Sequence, residues 1–205
     1  YLLDQDAVPS VELLIESKIN MDLKIAIWSG KINWIDETNN VLILSNNKFN
    51  NLTPFTIPYR SFLGCYFFKS ELISFQKIRF NLHLGPGEDT KLKTGEDILF
   101  LCDYFSRNNI NSYKSYPNLY VHHPQRPTNN HKTLLYLEGQ IAIYKHLVAN
   151  KKMLFKIRIG SIIYLFLFLA NGFVKFLKLE ENGLIILKRR LFYIFNKFDI
   201  HNSKF

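Results

Sequence analysis

Lys93-Thr94-Gly95-Glu96-Asp97-Ile98-Leu99-Phe100-Leu101 is a turn with two adjacent carboxylates that opens directly into an apolar helix. From Gly95 onward, Ile98, Leu99, Leu101, Cys102 and Phe105 recur at helical spacing, which predicts a helix to about residue 107 that Asn108-Asn109 ends. Acids in the first turn favour the helix macrodipole, so Glu96 and Asp97 have an ordinary structural reason to stand there. The glycine before them also lets a ligand approach the backbone closely, and Gly85-Pro86-Gly87 upstream marks a loop that can fold over such a ligand. A carboxylate in that position suits proton abstraction. Glu88-Asp89, in the same loop, is a second acidic pair that residue type alone does not rank below Glu96-Asp97.

Working outward, the chain begins with an acidic cluster of another kind, Leu2-Leu3-Asp4-Gln5-Asp6. On a strand the side chains of residues i and i+2 point the same way, so Asp4 and Asp6 can face one divalent cation and its phosphates; a turn or helix-cap role is the plainer alternative. His122-His123 closes the strand-like run Leu119-Tyr120-Val121, and imidazole is a further metal ligand. Two acidic sites with different jobs point to an enzyme.

Between these motifs strand and helix patterns alternate, which predicts an α/β fold with a mixed sheet and flanking helices. Tyr1-Leu2-Leu3 reads as the end of a buried strand, and Pro9-Ser10 as the start of a helix to about residue 20. Residues 23–28 are strand-like, and 32–35 and 41–44 flank a turn-rich segment as a hairpin. Residues 46–58 read as a polar loop, 62–68 as a buried strand, and a short helix follows from Ser70. Tyr113 and residues 119–121 predict two short strands, and helices are expected over 132–148, 153–179 and 184–198.

The 205 residues, 47% hydrophobic and 15% aromatic, are enough for one sizeable core and exclude a disordered chain. The net charge of +9 is uneven: from Lys145 to Phe205 there are twelve Lys and Arg against three acids. Cys65 and Cys102 each lie in an apolar run and read as buried free thiols, which implies a reducing, cytoplasmic setting. Tyr1 lies already inside a strand-like run with no signal-peptide pattern, and the chain is expected to be a fragment.

Four segments in order, Leu2-Leu3-Asp4-Gln5-Asp6, then Ser61-Phe62-Leu63-Gly64-Cys65-Tyr66-Phe67-Phe68-Lys69, then Phe80-Asn81-Leu82-His83-Leu84-Gly85-Pro86-Gly87 running into Gly95-Glu96-Asp97, then Tyr120-Val121-His122-His123, resemble family 2 glycosyltransferases of the GT-A fold. The resemblance spans Tyr1 to about His146. It implies a partial GT-A domain over 1–150, lacking the first strands and most of the nucleoside pocket, which the family carries ahead of its Asp-x-Asp motif. It further implies an inverting, metal-assisted transfer of a sugar from a nucleotide-diphosphate donor to a glycan or lipid-linked acceptor. Asp4 and Asp6 would bind Mn²⁺ or Mg²⁺ and the donor diphosphate, with His122, or His123 in a register shifted by one, completing the metal site. Gly64 and Gly95 would adjoin the donor, Asp97 would be the general base, and Glu96 would shape the acceptor site. The chain lacks the Gln-x-x-Arg-Trp motif of processive synthases, since Gln125-Arg126-Pro127 does not fit it, so a single addition is expected.

Residues 151–205 form a hydrophobic and basic helical tail. From Ile159 to Val174 there are sixteen residues without a charge, bordered by Lys156, Arg158, Lys175 and Lys178. That length is borderline for crossing a bilayer, which needs about 20 apolar residues. Lys188, Arg189 and Arg190 beside Leu191, Phe192, Tyr193, Ile194 and Phe195 read as an interfacial helix drawn to anionic lipid, placing the protein at the cytoplasmic face of the membrane. Packing on the domain, or on a second copy as a homodimer, is the alternative. Two other classes stay open: a basic, aromatic-rich module gripping nucleic acid, and an inactive fragment that serves as a membrane-anchored scaffold. The cations cluster with aliphatic runs rather than with interleaved aromatics, so nucleic acid is not the expected partner.

Overall fold

The computed structural model describes residues 8–9, 15, 27–35, 41–44, 51–59, 66–85, 90, 92–111, 113–124, 130–180 and 182–196. Strands dominate its first part and helices its second, so both element types of the expected mixed fold are present, but they are segregated along the chain instead of alternating as the sequence pattern predicts. The strands are β1 (Val8–Pro9), β2 (Ile27–Ile35), β3 (Val41–Leu44), β4 (Asn51–Leu52), β5 (Tyr66–Phe68) and β6 (Tyr113–Pro124). A 3-10 turn covers Pro54–Tyr59. The helices are α1 (Ser70–Phe75), α2 (Glu96–Arg107), α3 (Asn130–Ala149), α4 (Phe155–Leu177) and α5 (Gly183–Phe195).

The sheet is organised on the two long strands, β2 and β6, which run parallel from Trp28 opposite Lys114 to Ile35 opposite Pro124. The outer edge of β6 carries β4 at one end and β1 at the other, both antiparallel. The outer edge of β2 likewise carries β5 and β3. The expected hairpin of 32–35 with 41–44 is therefore formed, while the separate strand expected over 23–28 is continuous with it through β2 among the described residues. Similarly, 113 and 119–121 belong to one strand rather than two. Its ladder is interrupted where Ser29 pairs with Ser115 but Lys31 with Tyr120, and Pro117, which has no N–H to give a ladder, lies in that excess.

Pro9, expected to begin a helix, instead pairs with Val121 at the sheet edge, a place that tolerates a missing donor. The expected polar loop 46–58 contains β4 and the 3-10 turn, because Ile57 is fully buried beneath the helices. Cys102 is buried and free, as expected; Cys65 lies outside the described residues.

Helix α2 turns Ile98, Leu101, Cys102 and Phe105 into the core at the i, i+3, i+4, i+7 spacing of a single face. Phe68 of β5 meets Phe100 and Tyr104 edge to face, at 5.5 and 5.0 Å between ring centroids. The backbone N–H of Lys69 donates to the Tyr104 hydroxyl at 3.2 Å, which satisfies the polar tip of that buried ring.

The start of α4 is fastened to the same body. The Leu154 N–H donates to Ser106 Oγ at 3.1 Å, and Arg158 Nε donates to the carbonyl of Val148 at 3.0 Å. At its far end α4 turns through Leu179 and Asn182, both with positive φ, into α5, which returns antiparallel along it. Lys145 of α3 donates Nζ to the carbonyls of Tyr193 at 3.1 Å, Ile194 at 2.9 Å and also Asn196. That cation satisfies the orphan carbonyls at the end of α5 and meets the negative pole of its dipole.

Candidate functional site

The two acids of the decisive stretch stand at the N-terminus of α2, following Gly95 with φ of +106°. Gly95, at the cap position, has no side chain with which to cap that end. Gly95 is there because nothing larger fits: a Cβ would lie 2.3 Å from Cγ1 of Ile143 on α3, and its φ disfavours L residues. One turn earlier on α3, a Cβ on Gly139 would come within 2.9 Å of the Thr94 carbonyl oxygen. Helix α3 therefore presses directly on the turn that launches α2.

This contact creates a cleft of about 130 Å³ lined by Thr94, Gly95, Glu96, Asp97 and Ile98, by Gln140 and Tyr144 of α3, by Tyr164 of α4 and by Pro58 of the 3-10 turn. Its aromatic wall is held in place. Tyr144 donates its hydroxyl to the Pro58 carbonyl at 2.6 Å, and its ring stacks on Tyr164 at 4.1 Å. Burial pushes the Tyr164 hydroxyl above the usual phenol range.

Glu96 and Asp97 sit differently although adjacent. Oε2 of Glu96 is buried without a hydrogen-bond partner among the described residues. Burial accordingly raises the Glu96 carboxyl above its ordinary value, against the opposing pull of the backbone N–H groups of Glu96 and Gly95. Gly85 passes over that carboxylate, close enough that a Cβ there would lie 3.3 Å from Glu96 Cδ. The loop that Gly85 begins is closed at its base, where the Gly85 N–H donates to the Leu92 carbonyl at 2.9 Å and Thr90 Oγ1 donates to the carbonyl of Gly85. Asp97 is half-buried and lines the cleft.

The structure thus brings Gly95, Glu96 and Asp97 together and sets the base of the glycine loop beside them. His122 is half-buried on β6, opposite Val8 of β1, and is not among the residues lining the cleft; His123 follows it on the strand, opposite Trp34. Asp4, Asp6, Gly64, Glu88 and Asp89 lie outside the described residues. Among the described residues no three of His, Cys, Asp and Glu gather as a metal cluster. Sequence reasoning missed Gln140, Tyr144, Tyr164 and Pro58. The available signals were a glycine inside a helix at 139 and tyrosines at 144 and 164 in otherwise apolar helical runs, each with a polar tip that needs a partner.

No family model, curated protein or solved structure matches this chain.

Proposed function

We propose that this chain is the acceptor-side part of an inverting glycosyltransferase resembling family 2, which moves a sugar from a nucleotide-diphosphate donor to a glycan or lipid-linked acceptor. The observation that carries the reading is the cleft at the start of α2, where Asp97 stands beside Glu96 under a stacked tyrosine wall. A volume of about 130 Å³ is below the ~300–1,000 Å³ of pockets that enclose a drug-sized ligand, and suits one part of a larger substrate such as a single sugar ring.

In this reading the Asp97 carboxylate accepts the proton of an acceptor hydroxyl as its oxygen bonds to the anomeric carbon. The bond from that carbon to the diphosphate breaks on the opposite face, and the diphosphate leaves with the electron pair. The helix start favours an anion at that position. Glu96, with its raised carboxyl, shapes the floor beneath Gly85 rather than taking the proton. Tyr144 and Tyr164, fixed against each other, form one side of the cleft.

A divalent cation fits the chemistry of the residues assigned to it. Carboxylate and imidazole suit Mn²⁺. Asp4, Asp6 and His122, or His123, would hold the ion, which when bound supplies charge neutralisation to the departing diphosphate.

The test is release of nucleoside diphosphate from a panel of nucleotide-diphospho-sugars with Mn²⁺, in the full-length gene product. Asp97→Asn is expected to lower turnover on the order of 10²–10⁴-fold with donor binding retained. Asp6→Ala should weaken Mn²⁺ and donor binding together. Near-native turnover in Asp97→Asn would remove the base assignment.

A further inference from the structure

Among the described residues, α4 is the one helix long and apolar enough to cross a bilayer. Its packing argues otherwise. Ile157 is fully buried in the core, and a Cβ on Gly160 would fall 2.2 Å from the Phe55 carbonyl oxygen, so the helix backbone rests on the 3-10 turn. The part beyond that anchorage, from Ile162 to the end of α4 at Leu177, is about 24 Å long at 1.5 Å per residue. A hydrocarbon core is about 30 Å thick.

This part is nonetheless apolar on its outer side. Ile162, Phe166, Phe173 and Leu177 form an exposed stripe at helical spacing, with Phe166 70% exposed. Helix α5, lying along α4, adds exposed Ile185 and Phe192 with Lys188 and Arg189 among them. We propose that the α4–α5 hairpin lies in the plane of an anionic membrane leaflet, its apolar stripe below the headgroups and Lys156, Lys178, Lys188 and Arg189 at their level.

Charge selects this occupant. Between Lys151 and Asn196 there are nine Lys and Arg against two acids, Glu180 and Glu181, and Glu180 is already paired with Lys175 at 3.3 Å. Two copies meeting through this face would bring like charges together, whereas an anionic leaflet attracts them and accepts the apolar stripe. Arg190 is the exception to the expected basic run, being buried between the two helices where it cannot reach a headgroup.

The docking helix is also a wall of the cleft. Tyr164, two residues from Phe166 and so about half a turn around the helix, faces Tyr144 and the acids of α2. One helix thickness, about 10 Å, therefore separates the cleft from the lipid. If the chain is the transferase proposed above, this placement assigns the acceptor to the lipid-linked class rather than to free glycans.

Flotation with vesicles tests the docking without donor or acceptor, so failure of the transfer reading and failure of this one are distinguishable. The chain is expected to float with mixed phosphatidylglycerol–phosphatidylcholine vesicles, to bind pure phosphatidylcholine far more weakly, and to be released by alkaline carbonate. Lys188→Ala with Arg189→Ala should weaken binding to the anionic vesicles about 30-fold, and Phe166→Glu should abolish flotation. Both changes are at exposed positions, and thermal melts like the native chain's would show that folding is intact. Absence of flotation, resistance to carbonate, or equal binding by the variants would overturn the proposal. So would a dimer that Phe166→Glu dissociates in the absence of vesicles.

Discussion

A methyl group added at Gly95 would press on the contact that shapes the cleft. In Gly95→Ala the residue must hold φ near +106°, a strain of about 1–3 kcal/mol for a side chain with a Cβ. The new atom would also meet Ile143, at 2.3 Å from Cγ1 and 3.2 Å from Cδ1. Ile143 is fully buried, so overpacking adds about 1–3 kcal/mol. Together the two effects come to about 2–6 kcal/mol, a large share of the ~5–15 kcal/mol that holds a domain folded. For a chain of this length the midpoint of a thermal melt should fall by roughly 4–24 °C. Strain and collision separate in a double-mutant cycle. Ile143→Ala alone should cost about 2–5 kcal/mol, and combined with Gly95→Ala it removes the collision but not the strain. The double variant should then be more stable than the sum of the single losses by about 1–3 kcal/mol, read from urea midpoints. A Gly95→Ala protein that melts like the native chain, or single losses that simply add, would refute the view that α3 is pressed against the start of α2.

The helices were legible because their information is local. Ile98, Leu101, Cys102 and Phe105 mark one face of α2 without reference to any other segment, and the glycine before Glu96 marks its start. The hairpin of β2 with β3 was legible for the same reason, as two apolar runs flanking a polar turn. The continuity of β6 was not, since Pro117 reads as a break and only the parallel partner β2 shows that pairing resumes beyond it. The acids of the cleft could be named from sequence, but not its walls. Tyr144, Tyr164 and Pro58 come from three elements, and what joins them is a backbone contact at Gly139 that carries no chemical signature. Arg190 reads in the sequence as one of three cations, with Lys188 and Arg189, of an interfacial basic run. Its burial follows from the absence of a side chain at Gly172 one helix away, where a Cβ would lie 2.9 Å from Arg190 Cδ. The aspartates at positions 4 and 6 lie outside the described residues, so the expectation that they share a cavity with Asp97 rests on the resemblance alone.

Substitutions at two further residues probe buried charge. Because burial holds the Glu96 carboxyl above 4.5, the folded chain binds that proton more tightly than the unfolded one, and the associated stability is present below 4.5 and lost as pH rises through the raised value. Glu96→Gln should therefore be more stable than the native chain above that window, with the gap narrowing as pH falls; urea midpoints across the acid range check this, and a native advantage at neutral pH would contradict it. Arg190 poses the opposing case, a cation 4% exposed whose Nη1 donates to the Phe168 carbonyl and to Asn171 Oδ1 at 3.3 Å, with the guanidinium 3.9 Å above the Phe168 ring. Hydrogen bonds to a charged group contribute about 1.5–3 kcal/mol and a desolvated cation–π contact about 2, but burial disfavours the charge and Nε has no partner among the described residues. Arg190→Ala loses both the contacts and the packing and should cost about 2–4 kcal/mol. Arg190→Met keeps an apolar stem against Phe168 and removes the cost of burying a charge, so its loss should be less than half as large. If methionine destabilises as much as alanine, the polar contacts of Arg190, rather than its bulk, hold α5 to α4.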